Sequence, residues 1–136
     1  MLKEINLHGI SVAEITLDAT GKPTGYIIDS PLNRRITPQT LVDVQGPAAH
    51  LSAIRAMFVT RFDTTGATSR GTLNNCGHGI TPWGTYLTSE ENFIFYFNGG
   101  DKLSDHEKRW GLRKGGVGYR WHEHDARFDA TQNPND

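Results

Sequence analysis

Residues 8–17 alternate apolar and polar side chains imperfectly and are rich in β-branched residues, which is typical of a β-strand. The apolar members of this alternation are Ile10, Val12, Ile15 and Leu17. They predict a strand over residues 8–17, and the segment TGYIID predicts a second strand over residues 24–29. Gly21, Lys22 and Pro23 lie between the two and form a turn sequence. We therefore expect the two strands to pair as a hairpin.

The rest of the chain predicts further short strands separated by glycine-rich and proline-rich turns. Strand-like patterns cover residues 54–62, 71–75, 85–89, 93–97 and 117–121. The segment LSAIRAMFVTRF, at residues 51–62, also fits a helical turn followed by a strand. Residues 105–113 are charged and predict a helix, while the polar end at residues 129–136 is expected to fray.

Strand signals at intervals of about 8 to 12 residues predict an all-β fold, which could be a sandwich, a barrel or a propeller. The composition agrees with short strands and tight turns, because only 36% of the residues are hydrophobic and 15 are glycine. At 136 residues, the chain has the length of one domain, residues 1–136.

Charge and cysteine content limit the classes of partner. A net charge of −1 gives no basis for broad attraction to nucleic acid or to acidic membranes. One cysteine cannot form an intrachain disulfide, so it does not indicate a compartment. No apolar run approaches the roughly 18 residues that span a bilayer, and the opening MLKEINLHGI lacks the apolar core of a signal peptide. We expect no nucleic-acid partner and no membrane span.

The segment at residues 71–93 carries the side chains best suited to metal chemistry. It contains Cys76, the chain's single cysteine, and the adjacent pair Glu90 and Glu91. A thiolate suits iron, zinc or copper, whereas carboxylates and amide oxygens suit calcium, magnesium or manganese. Three glycines and a proline follow the cysteine, so residues 76–84 are expected to form a sharply shaped loop.

Several long segments of the chain form a series of recognisable motifs. They are HGISVAEI at residues 8–15, SPLNRRIT at 30–37, QGPAAH at 45–50, NNCGHGITPWGTYLTSEEN at 74–92 and YRWHEHDARFDATQNPND at 119–136. In this order they resemble the PhoX-type alkaline phosphatase family. The resemblance implies a metal-dependent hydrolase that uses iron and calcium to release inorganic phosphate from phosphomonoesters.

The resemblance also implies a β-propeller. A blade takes about 40 to 50 residues and a closed ring needs at least about four blades, so this chain corresponds to about three. We expect a partial propeller whose open strand edges favour self-association or complementation by the missing blades. The family is usually exported, which implies a periplasmic or secreted location for a longer parent protein.

Specific roles follow from the resemblance for several residues. Cys76 becomes an iron ligand, while Glu90 and Glu91 contribute to calcium binding. From guanidinium chemistry, one of Arg34 and Arg35 could hold a phosphate by a bidentate contact, with surface salt-bridging as the alternative. Asn75 could orient the loop or the substrate. The family's remaining acidic ligands correspond to positions beyond residue 136, so the chain alone is expected to have little or no activity.

Geometry adds one expectation about these roles. Neighbouring strand residues point to opposite faces, so at most one glutamate should face the cysteine. If residues 71–75 and 85–89 form a plain hairpin, Glu90 lies roughly 17 Å from Cys76, at about 3.3 Å per residue. The two residues would then bind different ions, unless the loop folds back.

Alternative readings remain open for two histidine motifs and for the chain as a whole. His78 could be a second ligand beside Cys76. His122 and His124 would lie on one face of a strand, a spacing that metal sites use. The resemblance instead treats this segment as scaffold, with Trp121 packed on Phe128 and three charged residues paired; these are Asp125, Arg127 and Asp129. The alternative function is a non-catalytic module that binds calcium or a partner chain.

Overall fold

A computed structural model describes residues 1–132 of the protein. The strands are β1 (Ile10–Val12), β2 (Ile15–Leu17), β3 (Pro23–Tyr26), β4 (Arg34–Ile36), β5 (Leu41–Asp43), β6 (Thr68–Arg70), β7 (Asn75–Ile80) and β8 (Tyr86–Glu90). The α-helices are α1 (Leu2–Leu7), α2 (Ser52–Phe58) and α3 (Asp105–Trp110). Short 3-10 helices cover Phe93–Phe95, Trp121–Glu123, Ala126–Phe128 and Ala130–Gln132. Short antiparallel strands with few helices make up the regular structure, as the all-β prediction required.

The eight strands form four separate antiparallel pairs, and the described residues contain no closed sheet. The pairs are β1 with β4, β2 with β3, β5 with β6, and β7 with β8. The predicted hairpin is confirmed as β2 and β3, where Ile15 lies opposite Tyr26. The Asp18 carboxylate accepts backbone hydrogen bonds in its turn, from Thr20 at 2.8 Å and Lys22 at 3.0 Å.

The single strand predicted over residues 8–17 is in fact two strands with different partners. Ile10 at the start of β1 pairs with Ile36 of β4, whereas β2 pairs with β3. The backbone N–H of Glu14, in the break between them, donates to Asn33 Oδ1 at 2.8 Å. The interrupted alternation before Ile15 marks this change of partner.

Residues 54–62 were predicted as mostly strand, and this prediction is wrong because α2 occupies most of the segment. Ile54 and Phe58 are four residues apart and lie on one side of the helix. Arg55 Nε donates to the Ala49 carbonyl oxygen at 3.0 Å, which ties the helix to the preceding turn. Good helix formers such as alanine, arginine and methionine fill the helix, so local propensity decides here.

Two further strand predictions are also wrong. Residues 93–97 begin with a 3-10 helix instead, entered through Asn92 in a left-handed conformation (φ 51°). Residues 117–121 form no strand, because Gly116 and Arg120 both adopt positive φ, at 71° and 57°. Left-handed residues interrupt an extended backbone at both places. Helix α1 was not predicted at all.

Helix α3 is predicted correctly within residues 105–113. Ser104 caps its N-terminus by accepting from the Glu107 backbone N–H at 3.2 Å, while Glu107 accepts from the Ser104 N–H at 2.6 Å. Gly111 ends the helix with φ 84°. This reciprocal arrangement is the capping box that the sequence S-x-x-E signals.

The core is small and aromatic. Its buried members are Ile5, Leu73, Tyr96, Trp121 and Phe128. Trp121 is at the centre, 1% exposed, with ring centroids 4.5 Å from Tyr96 and 4.9 Å from Phe128. The chain's two ends therefore meet in one cluster that supports the segment around Leu73.

The solvent-accessible surface is unusually large for a chain of this size. The exposed area is 9812 Å², whereas a folded monomer of 15.1 kDa typically exposes about 7,100 Å². Many large apolar side chains contribute, among them Ile28, Met57 and Trp83, the last 78% exposed. Within residues 1–132 no helix is long and apolar enough to cross a membrane.

The predicted fraying of residues 129–136 concerns a segment that lies partly outside the described residues, since 133–136 are not among them. In the described part, the Asp129 carboxylate accepts from Asn98 Nδ2 at 3.0 Å. The Ala130 backbone N–H donates to the Asn98 carbonyl oxygen at 2.9 Å.

Candidate functional site

The segment that contains Cys76 is a strand, not the predicted loop. Strand β7 begins at Asn75 and pairs with β8, so the predicted strand over residues 71–75 and the predicted loop over 76–84 are both wrong. The turn is confined to residues 81–85, where the Thr81 backbone N–H donates to the Thr85 carbonyl oxygen at 2.8 Å. Pro82 and Gly84 specify this turn, whereas the glycines nearer the cysteine are accommodated within β7.

This register brings the cysteine to the glutamates. Asn75 lies directly opposite Glu90, and the pairing shifts between Asn75 and His78. The Cys76 thiol is exposed and hydrogen-bonds to the Glu91 carboxylate. The expected separation of roughly 17 Å assumed that the chain turns at the cysteine. Because the turn lies beyond residue 80, the cysteine and the glutamate pair are neighbours.

The Glu91 carboxylate controls the chemistry of the thiol. The hydrogen bond from the thiol to Glu91 is the main reason that the pKa of Cys76 is raised, followed by burial and by the charge of Glu91. The thiol therefore keeps its proton more firmly than a free cysteine. A cation placed between the two groups would favour the thiolate, because it neutralises both anions.

The two glutamates have different surroundings. Glu90 Oε1 accepts from the Thr72 hydroxyl at 2.6 Å and from the Leu73 backbone N–H at 3.0 Å. It is thus tied to the segment that precedes β7, whereas Glu91 reaches Cys76. Glu90 is the last residue of β8, whereas Glu91 follows the end of the strand.

The asparagines before the cysteine hold this segment in place. Asn74 has a left-handed backbone (φ 46°), and its carbonyl oxygen accepts from the Glu91 N–H at 2.9 Å. Asn75 Nδ2 donates to the hydroxyls of Thr72 at 2.9 Å and Thr88 at 3.1 Å. Asn75 Oδ1 is buried and has no partner within residues 1–132. Both amide hydrogens are occupied, so the unused atom of Asn75 is an acceptor.

A buried tyrosine lies beside the hairpin. Burial, and then the neighbouring Tyr119, raise the pKa of Tyr96 to about 12, with smaller contributions from Glu4 and Cys76. Its ring stacks on Tyr119 with centroids 5.0 Å apart. Tyr96 consequently stays protonated at neutral pH.

The arginines that were predicted to contact phosphate lie side by side on β4. Arg35 Nη2 donates to the carbonyl oxygens of Asn6 at 2.8 Å and His8 at 3.0 Å, and its Nη1 donates to the Ser11 hydroxyl at 2.7 Å. Arg35 thereby joins β4 to the end of α1. Arg34 donates to the Leu32 carbonyl oxygen at 2.8 Å. Arg34 thus donates one of these hydrogen bonds and Arg35 donates three.

The histidines of the alternative metal sites are not arranged as the sequence suggested. His122 and His124 do not share a strand face, because residues Trp121–Glu123 form a 3-10 helix. His78 stacks on Tyr86 with centroids 6.2 Å apart. Among residues 1–132, no group of three or more histidine, cysteine, aspartate or glutamate side chains is placed to hold a metal ion.

Comparison with known proteins identifies the relationship. The family model described as alkaline phosphatase PhoX matches residues 1–136. The chain belongs to this family. A solved structure, "Pseudomonas fluorescens PhoX in complex with vanadate, a transition state analogue", is 36% identical and has a TM-score of 0.78. The match covers 93% of this chain and 21% of that chain, so the protein spans about a fifth of its relative's length. No curated protein matches the sequence at a significant level.

In the motif at residues 119–136, the described residues 119–132 make most of the packing and pairing contacts that the resemblance implied. Trp121 packs edge-on against Phe128, and Arg127 pairs with Asp125 at 2.9 Å. Arg127 Nη1 also donates to the Pro38 carbonyl oxygen at 3.0 Å. Asp129 departs from the expected pairing, because it accepts from Asn98 instead of an arginine.

Two of the described residues could contribute ligands to a metal site. Cys76 lies in β7 and Glu91 directly follows β8, and they offer a thiolate and a carboxylate to a transition metal. Two ligands are fewer than the four or more that such ions take. Further ligands must therefore come from elsewhere for a complete site to form.

Proposed function

We propose that the chain is part of a metal-dependent alkaline phosphatase that hydrolyses phosphomonoesters and releases inorganic phosphate. The main support is the β7–β8 register, which places Cys76 beside Glu91. Membership in the PhoX family supports the reaction class, and a relative bound to a transition state analogue supports a site for a phosphoryl group.

The proposed iron ligand is Cys76, with Glu91 as the carboxylate beside it. Glu90 and Glu91 both remain candidates for calcium, but Glu90 already accepts two hydrogen bonds from Thr72 and Leu73. Glu91 is therefore the better candidate. When bound, such cations would neutralise phosphoryl oxygens and activate an oxygen nucleophile.

We propose substrate contacts for side chains whose hydrogen-bond donors are least used by other residues. Arg34 is favoured over Arg35 for phosphate, because Arg35 already makes three hydrogen bonds around the end of α1. Asn75 is better suited to orient the segment than to donate to phosphate, since both amide hydrogens bond threonine hydroxyls. Its buried Oδ1 would accept from a donor outside residues 1–132.

The four strand pairs are proposed to be parts of an incomplete propeller of about three blades. Propeller blades are four-stranded, whereas each pair here has two strands and two open edges. The excess exposed area, roughly 2,700 Å² over the usual value for this mass, supports a missing partner surface. We propose that the remaining blades cover it, from the same polypeptide or another. A periplasmic or secreted location is proposed by analogy with the family.

A second candidate is a non-catalytic module that binds calcium or a partner chain. The many exposed large apolar side chains favour the partner-binding form of this candidate for the chain alone. A stable, monodisperse chain that binds calcium but no iron would support this candidate over the phosphatase.

The test uses the chain alone and a chimera in which it replaces the matched segment of the Pseudomonas fluorescens protein. With iron and calcium, the chain alone should hydrolyse para-nitrophenyl phosphate little or not at all, whereas the chimera should turn it over. Glu91→Gln should abolish most of that activity. The control Asp105→Asn also removes a carboxylate, on exposed α3, and should keep it. Robust turnover by the chain alone would contradict the partial-site proposal.

A further inference from the structure

A histidine outside the predicted site is bonded to the segment that leads into β7. His8 follows helix α1, and its Nδ1 accepts a hydrogen bond from the backbone N–H of Asn74, 3.2 Å away and 66 residues along the chain. In the sequence, His8 begins the motif HGISVAEI, and the resemblance to the PhoX family gives this histidine no specific role. The contact gives His8 a direct link to the residue two positions before Cys76.

Two aromatic rings contact the half-buried imidazole of His8, and its backbone makes two further hydrogen bonds. Its ring lies edge-on to Tyr96 and Trp121, with centroids 5.0 and 5.2 Å away. Its backbone N–H donates to the Ile5 carbonyl oxygen at 3.2 Å, and its carbonyl oxygen accepts from Arg35 at 3.0 Å. A ring fixed by the buried aromatic core can set the position of whatever it bonds.

Asn74 links His8 to the β7–β8 hairpin through hydrogen bonds. Its left-handed backbone directs its carbonyl oxygen to the Glu91 N–H at 2.9 Å, and its side-chain amide donates to the Glu91 carbonyl oxygen. Asn74 is thus bonded to His8 through one backbone group and to Glu91 through two other groups. Glu91 in turn bonds Cys76.

We propose that His8 is a positioning residue for the cysteine–glutamate pair. Its neutral imidazole carries the proton on Nε2, because Nδ1 must accept from Asn74. Through Asn74 it fixes the start of β7 relative to the end of β8, and therefore the approach of the Cys76 thiol to the Glu91 carboxylate. The geometric claim is independent of the proposed phosphatase function, while its metal-binding consequence rests on it.

The geometric claim is tested by NMR on the whole chain. The ¹⁵N shifts should show His8 as the Nε2–H tautomer, with Nδ1 as an acceptor. His8→Leu should speed exchange of the Asn74 amide by about two- to tenfold, the range for losing one hydrogen bond. His8→Asn places a carbonyl oxygen near the position of Nδ1 and should restore the protection. His50→Leu, at an exposed histidine, is the control and should leave that amide unchanged.

The metal consequence is tested in the chimera with cobalt(II), read by the thiolate-to-cobalt charge-transfer absorption, because the chain alone supplies too few ligands among residues 1–132. We expect His8→Leu to weaken binding by about tenfold or more, as loss of supporting contacts around metal ligands does, and His8→Asn to restore most of it. An Nδ1–H tautomer in the unmodified chain would overturn the proposal, even if the leucine variant does not fold. Unchanged Asn74 exchange in His8→Leu would also overturn it. Absence of cobalt binding in the unmodified chimera would instead count against the metal site, while the tautomer and exchange results would still decide the role of His8.

Discussion

Replacing Trp121 by alanine should remove the largest single contribution to the core. A buried tryptophan hides about 150–250 Å², which at about 25 cal/mol/Å² corresponds to about 4–6 kcal/mol. Truncations of this kind cost about 3–5 kcal/mol in measured series. We therefore expect Trp121→Ala to lower the free energy of unfolding by about 4 kcal/mol, a large share of the roughly 5–15 kcal/mol of a typical domain.

Phenylalanine at the same position separates packing from hydrogen bonding. Trp121 Nε1 is buried without a partner within residues 1–132, so Trp121→Phe loses no hydrogen bond there. It loses three ring atoms, at about 0.8 kcal/mol each, or roughly 2 kcal/mol. The phenylalanine variant should thus cost about half as much as the alanine variant.

Urea unfolding followed by circular dichroism measures both effects, with Trp83→Ala as the matched control. Trp83 is 78% exposed. Its replacement by alanine should lower the free energy of unfolding by less than about 0.5 kcal/mol. With a slope near 2 kcal/mol per molar urea, Trp121→Ala should lower the midpoint by about 2 M. Equal losses of stability in Trp83→Ala and Trp121→Ala would contradict the central role of Trp121 in the core. Equal losses in Trp121→Phe and Trp121→Ala would contradict the packing contribution of the ring.

Three further substitutions test other contacts. Ser104→Ala removes the cap of α3 and should cost about 1 kcal/mol in urea unfolding. Glu91→Gln removes the main cause of the raised thiol pKa, so the pKa of Cys76 should fall and its alkylation at neutral pH should accelerate. Burial alone would raise the pKa of Asp125, but hydrogen bonds and charge from Arg127 outweigh it and lower the pKa. Asp125→Asn should therefore destabilise the chain at pH 7, and its difference from the unmodified chain should shrink as pH falls below about 3.9.

Each of these three has a matched control. Ser52→Ala alters a helix start that has no capping side chain on α2 and should cost less than Ser104→Ala. Glu90→Gln should leave the alkylation rate of Cys76 unchanged. Asp105→Asn, whose carboxylate is 99% exposed, should show little loss of stability at pH 7. A larger effect in any control than in its counterpart would refute the corresponding contact.

Local signals predicted the parts of the fold that depend on neighbouring residues. The β2–β3 hairpin follows from alternation and a turn, and α3 follows from its charged residues. The strand predictions for residues 93–97 and 117–121 are wrong because left-handed residues such as Asn92 and Arg120 interrupt sequences with a strand-like pattern. Nothing in the local pattern distinguishes an asparagine or an arginine with positive φ.

The candidate site was predicted in composition but not in geometry. Cys76 and the glutamates stood out by residue type, and motif similarity gave them roles. Their contact depends on where the hairpin turns, and Gly77 and Gly79 suggested a loop at the wrong end of the strand. The role of His8 could not be predicted at all, because its bond to Asn74 joins residues 66 positions apart.

Elemental analysis of the chimera tests the central claim most directly, namely that the β7–β8 register makes Cys76 and Glu91 part of a metal site. The purified chimera would be compared with its Cys76→Ser variant and with the Asp105→Asn control. We predict bound iron in the chimera and in the control, and its loss in the serine variant. Iron retained at full occupancy in the serine variant would contradict the account, because the thiolate would then contribute nothing to the site.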